Sequence, residues 1–94
     1  MYYVFLNALK GEEMKHTVKI SAEYMAAKIA GDKPFEIRVN DRGYQKGDTI
    51  QYTDNKAPWF DYKGVYEITY VTGFGMPENL VVFADKLLPS EVEA

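Results

Sequence analysis

Gly31-Asp32-Lys33-Pro34-Phe35-Glu36-Ile37-Arg38-Val39-Asn40-Asp41-Arg42, followed five positions on by Gly47-Asp48, is the stretch whose reading decides the fold. A glycine that stops a helix leads into a run with the period of a strand. Residues two apart in a strand share a face, so Phe35, Ile37 and Val39 point one way and Glu36, Arg38 and Asn40 the other. The first set reads as a stripe that closes a core. The second presents a carboxylate, a guanidinium and an amide in a row, with Lys33 at its mouth just after the turn.

The flanking segments extend this reading in both directions. Ala22 to Ala30 consists of good helix formers, with Ser21 as N-cap, Glu23 in the first turn and Gly31 at the stop, and predicts a helix of about nine residues. His16 to Ile20 alternates as a strand, and Tyr2 to Leu9 is rich enough in strand formers to be an earlier one, ended by the turn Lys10 to Glu13. Downstream, Asp41-Arg42-Gly43 and Lys46-Gly47-Asp48 carry turn chemistry. Thr49 to Thr53, Val65 to Thr72 and Leu80 to Ala84 read as further strands, separated by a loop opening at Asp54 to Pro58 and a break at Gly73-Phe74-Gly75. Residues 89–94 form an acidic tail without pattern. Six strands and one principal helix predict a mostly β (α+β) small barrel, because closure removes exposed edges. The chain contains no repeat or linker, so residues 1–94 read as a single domain.

Composition narrows the chemistry. With no cysteine, disulfides and thiolate nucleophiles are excluded, and a single His leaves the usual zinc constellations without ligands. No metal or other cofactor is expected. The apolar start, Met1 to Leu9, is shorter than a membrane span and lacks a basic leader, so the reading is a soluble, cytoplasmic protein. The net charge of −3 argues against a general polyanion binder. It is unevenly spread, however: residues 1–48 sum to +1, residues 49–94 to −4, and the window Lys15 to Lys46 to +3. Any phosphate-facing surface is therefore expected in the first half.

Taken singly, Lys33 suits a phosphate anchor or a catalytic amine. Glu36 and Arg38 read equally as a partly buried ion pair and as site residues. Asn40 and Asp41 lie where strand becomes turn and suit bonds to neighbouring backbone. Arg42 at a loop tip suits a phosphate or a base, and Tyr44 reads first as core and second as a stacking platform. The lone His16 reads as a structural hydrogen-bonding group. Trp59-Phe60 reads as a plug for the barrel, with a base or protein contact as the lesser alternative.

The pattern G-x-K-x-x-E-x-R, with a short helix before it and a Gly-Asp turn after it, resembles the ASCH domains of the PUA-like superfamily. The longer run from His16 through Glu23-Tyr24 to Phe35–Asp48 is similar, more narrowly, to the DUF3850 branch, small phage and bacterial proteins, and the resemblance covers roughly residues 15–87. It implies a PUA-like barrel with the helix beside it and a cleft for nucleic acid or a nucleoside, one wall formed by Gly31 to Arg38. One ASCH-like branch hydrolyses the acetyl amide of N4-acetylcytidine with a lysine, a threonine and a distal glutamate. Lys33 matches that lysine, but Glu36 stands at the threonine position, where a carboxylate cannot replace a hydroxyl nucleophile.

Three function classes follow. The first is binding of RNA, a nucleotide or a nucleoside through Lys33, Glu36, Arg38, Asn40, Arg42 and Tyr44. The second is hydrolysis of a modified nucleoside or of RNA, with Glu36 as base toward water and Lys33 as the stabilising cation. The third is a phage protein that binds and blocks a host protein.

Overall fold

Alternation governs the first strand of the protein, a computed structural model of which describes residues 13–89. In β1 (Lys15–Ile20), His16, Val18 and Ile20 are buried while Lys15, Thr17 and Lys19 face solvent. Ser21 caps the following helix α1 (Ala22–Ile29), its hydroxyl accepting a hydrogen bond from the Tyr24 N–H at 3.1 Å. The helix ends through Gly31, whose φ of +85° is the left-handed conformation that favours glycine. This turn lets the Asp32 and Lys33 N–H groups bond back to the Ala27 carbonyl, which fixes Lys33 against the helix end.

Four more strands follow: β2 (Phe35–Val39), β3 (Thr49–Asp54), β4 (Tyr66–Thr72) and β5 (Leu80–Leu87). They form one sheet in the order β1-β3-β4-β5-β2, parallel between β1 and β3 and antiparallel elsewhere. The two edge strands, β1 and β2, are thus the pair joined by α1. The sheet curls into a half-barrel that brings these edges to opposite sides of a seam. At one end of the seam Arg42, just past β2, donates a hydrogen bond from Nη1 to the Thr17 carbonyl of β1. Ile50, Tyr52, Ile68 and Phe83 are wholly buried inside the curl, and Met25 of α1 packs with them. Each such side chain contributes about 1.5–3 kcal/mol by leaving water.

The expected strand Tyr2 to Leu9 and the tail after Pro89 lie outside the described residues. Within those residues the fold matches the expected mostly β class with one helix, but particulars of two strands differ. The last strand runs on to Leu87 rather than ending at Ala84. Most consequentially, β2 faces the other way: Phe35, Ile37 and Val39 are 40%, 51% and 54% exposed, whereas Glu36 is 3% exposed and Arg38 half-buried. The reason is register. Glu36 stands opposite Phe83 and Arg38 opposite Val81, and directly opposed residues share a sheet face. Burying Phe83 and Val81 therefore turns Glu36 and Arg38 inward.

Nor does Trp59-Phe60 plug the barrel, since both residues are about half exposed. The interior is already filled by Tyr52 packed edge-on against Tyr66 and by Tyr44 against Phe83.

Candidate functional site

Glu36, driven inward by its register, meets three cations. Its Oε1 accepts from Arg38 Nε at 3.2 Å and Nη2 at 3.0 Å. Its Oε2 accepts from Lys33 Nζ at 3.0 Å and lies 3.1 Å from Lys28 Nζ. Lys28 projects from the core-facing side of α1, three positions after Met25, and is as buried as the carboxylate it approaches. It also donates to Asp85 Oδ1 at 2.9 Å and to the Lys33 carbonyl at 3.4 Å. Asp85 in turn accepts from the Tyr52 hydroxyl through Oδ2. A continuous network thus runs from the half-exposed Lys33 and Arg38 to the phenol of Tyr52 in the core.

The charges in this network are mutually dependent. Burial acts to raise the Glu36 pKa, but the hydrogen bond from Lys33 and the charges of Lys28 and Arg38 outweigh it and hold the carboxyl below its ordinary value of 4.5. Burial also pushes the Tyr52 phenol well up, reinforced by its hydrogen bond to Asp85 and by the Asp85 charge. Lys28, Lys33 and Arg38 against Glu36 and Asp85 leave the cluster with one positive charge in excess.

A count of donors separates the cations by role. The Lys28 ammonium donates two hydrogen bonds and pairs with the Glu36 carboxylate besides, and it is almost wholly buried, so Lys28 holds the network. Lys33 donates to Glu36 and to the Phe35 carbonyl at 2.9 Å, which leaves one proton. Arg38 directs two of its five N–H groups to Glu36 and retains three. Those remaining donors border a pocket of about 520 Å³ in the seam between β1 and β2. Lys33 with Phe35 to Arg38 form one wall, Lys19 and Ile20 the other, and Ser21, Tyr24 and Asn55 complete it. Lys33 Nζ lies 5.0 Å from the Tyr24 ring centre and 5.1 Å from that of Phe35, so the cation sits among aromatic faces. The pocket falls within the size range of small-ligand sites.

The other candidates lie elsewhere. Arg42 spends its guanidinium on the Thr17 carbonyl and does not line the pocket. The Asn40 side chain accepts from the Tyr44 N–H at 3.3 Å, an internal bond of the turn. Tyr44 is core, its ring 4.8 Å from His16 and 4.9 Å from Phe83. The expected convergence of Arg42 with Lys33 and Arg38 is therefore corrected: Arg42 clasps the seam instead. His16 bonds through Nε2 to Asp48 Oδ2 at 2.8 Å. Asp48 also receives the Met14 and Gln45 N–H groups, so the Gly-Asp turn secures β1 to the loop before β3.

Sequence reasoning missed Lys28, Asp85, Lys19, Tyr24 and Asn55. For Lys28 a signal existed, since its i+3 spacing from Met25 puts a lysine on the buried stripe of an eight-residue helix. Asp85 lay on the inward phase of β5, two positions after Phe83, beyond the predicted end of the strand. Among the described residues no group of His, Asp and Glu side chains is arranged to hold a metal ion, and no helix is long and apolar enough to cross a membrane.

The chain belongs to DUF3850, a family described as a domain of unknown function, whose sequence profile matches residues 15–84. That span begins at β1 and takes in Lys28, Lys33, Glu36 and Arg38. No curated protein matches the chain.

Proposed function

We propose that this protein binds single-stranded RNA or a nucleotide in the seam pocket, holding it through Lys33 and Arg38 without turning it over. The observation that carries this reading is the state of Glu36. Both of its oxygens are engaged by three cations, so the carboxylate acts as a clamp that holds Arg38 and Lys33, each with N–H groups to spare, in the wall of the pocket. A planar fork of donors beside aromatic faces fits phosphate and base together. The resemblance to ASCH domains of the PUA-like superfamily, and through it a cytoplasmic role among nucleic acids, supports the same reading.

The hydrolytic alternative asks Glu36 to take a proton from water. A carboxylate offers about four acceptor positions, and here three hydrogen bonds and the adjacent Lys28 ammonium engage both oxygens. With its proton affinity lowered besides, Glu36 is a weak base. The protein-partner alternative draws on the outward stripe of Phe35, Ile37 and Val39 on an edge strand, of which Phe35 and Ile37 also border the pocket.

The test is a titration with nucleosides, nucleotides and short RNAs followed by amide NMR. Shifts centred on Tyr24, Lys33 and Arg38 are expected. Silence across the panel, or shifts that spare Tyr24, Lys33 and Arg38, would overturn the reading.

A further inference from the structure

We infer that Trp59 is a second stacking platform beside the seam pocket, so that the ligand is a single strand of at least two nucleotides rather than a lone nucleoside. The inference rests on the nucleotide-binding reading above and specifies its ligand. Trp59 is 55% exposed, an unusual position for the largest apolar side chain of a small protein. It is nevertheless firmly presented. Just after it, the Phe60 carbonyl accepts both the Asp54 N–H at 2.8 Å and the Thr53 hydroxyl at 2.7 Å, and the Phe60 ring packs 4.9 Å from Tyr62. An exposed indole at the end of a pinned loop offers a rigid face at little entropic cost.

Lys19 connects this face to the pocket. Its ammonium lies 4.0 Å from the centre of the Trp59 ring, and the same residue lines the pocket wall opposite Lys33 and Arg38. Asn55, from the loop that carries Trp59, lines the pocket too. Tyr24 and Phe35 with Lys33 thus border the pocket on one side, and on the other Lys19 leads from the wall to Trp59, which lies just beyond the lining. Because Lys19 covers one face of the indole, a strand with one nucleotide in the pocket would pass its next phosphate by Lys19 and lay its next base on the opposite, solvent-exposed face of Trp59. Bases stacked in a duplex have no free face for this, so the partner is single-stranded. Phe74, though more exposed, lies on the turn between β4 and β5 and, unlike Trp59, has no cation of the pocket wall over its ring.

The chain contains one tryptophan, which makes its fluorescence a direct reporter. The experiment compares uridine monophosphate, the 5′-phosphorylated dinucleotide pUpU and an eight-nucleotide 5′-phosphorylated oligouridylate on the whole protein at low salt. The dinucleotide and oligomer are expected to quench the fluorescence and to bind roughly 5–150-fold more tightly than the monophosphate, the range that stacking of one base supplies. Trp59→Ala, followed by NMR, should abolish that advantage and leave monophosphate affinity unchanged. Should Trp59→Ala fail to fold, Lys19→Gln must weaken the dinucleotide more than the monophosphate. Equal affinity for all three ligands, or oligomer binding without quenching, would overturn the inference and leave the nucleotide reading standing. Failure of every ligand to bind would overturn both.

Discussion

Lys28 Nζ lies 2.9 Å from Asp85 Oδ1, with both side chains almost wholly buried, and joins helix α1 to strand β5 across 57 positions of sequence. Neither charge is tolerable alone in that interior, because desolvation costs several kcal/mol per ion and only a partner offsets it. The pair is the inner end of the network whose outer end borders the pocket, so the stability of the barrel and the geometry of the site share one set of bonds.

Lys28→Met should accordingly be costly. It leaves Asp85 with only the Tyr52 hydroxyl and removes one of three cations from Glu36. A loss of about 3–5 kcal/mol is expected in urea denaturation. The double change Lys28→Met with Asp85→Leu should cost less than the sum of the singles, by roughly 0.5–3 kcal/mol, as coupled neighbours do. Strict additivity would show that the two charges do not act as a pair.

Stability should also fall at both ends of the pH scale, for different residues. Glu36 has a folded pKa below its unfolded value, so its contribution is complete above about pH 4.5 and lost as pH falls through the folded value. Glu36→Gln should lower the melting temperature at neutral pH and flatten the acid limb. Tyr52 has a raised folded pKa, so its contribution is complete below the ordinary value of 10.0 and declines as pH rises above it. Tyr52→Phe should flatten the alkaline limb. Melting curves from pH 3 to 11 check both signs.

The strands and the helix were legible in the sequence because the forces that define them are local. The alternation of His16 to Ile20 and the cap at Ser21 each act within a few residues. The face of β2 was not legible for the opposite reason. Taken alone, Phe35, Ile37 and Val39 are the better core stripe, and only the register against Phe83 and Val81 with the distant partners Lys28 and Asp85 reverses it. The position of Lys33 beside Glu36 followed from short-range spacing, whereas Arg42 was drawn away by a carbonyl 25 residues earlier. Trp59 was misread because a large aromatic in a loop is usually assigned to the interior, and local sequence does not report that Tyr52 and Tyr66 already fill it.

Removing Arg38 should weaken binding more than it weakens the fold. In Arg38→Gln, Glu36 keeps Lys28 and Lys33, so the destabilisation should be smaller than that of Lys28→Met. The ligand, by contrast, loses a guanidinium with three available N–H groups. Affinity for an oligonucleotide should fall about tenfold, in line with the loss of a charge-assisted contact. The slope of log K against log salt should become shallower by about 0.7, the contribution of one phosphate contact on a single strand. Titrations at several salt concentrations measure both, and an unchanged slope would place Arg38 outside the phosphate path.

The final prediction separates a binder from a hydrolase. To activate water, Glu36 must offer a lone pair to a proton on the attacking molecule, yet Arg38 bonds to Oε1 twice, Lys33 bonds to Oε2, and the Lys28 ammonium lies 3.1 Å from the same oxygen. Freeing one position requires breaking a charge-assisted bond in a buried site, and the same cations that would stabilise an oxyanion lower the basicity of the carboxylate. Incubation with N4-acetylcytidine or single-stranded RNA should therefore yield no product above the Glu36→Gln control, while amide shifts at Lys33 persist on ligand addition to the wild-type protein. Robust turnover that vanishes in Glu36→Gln would reverse the assignment, making Glu36 the base and Lys33 with Arg38 the stabilisers of developing negative charge.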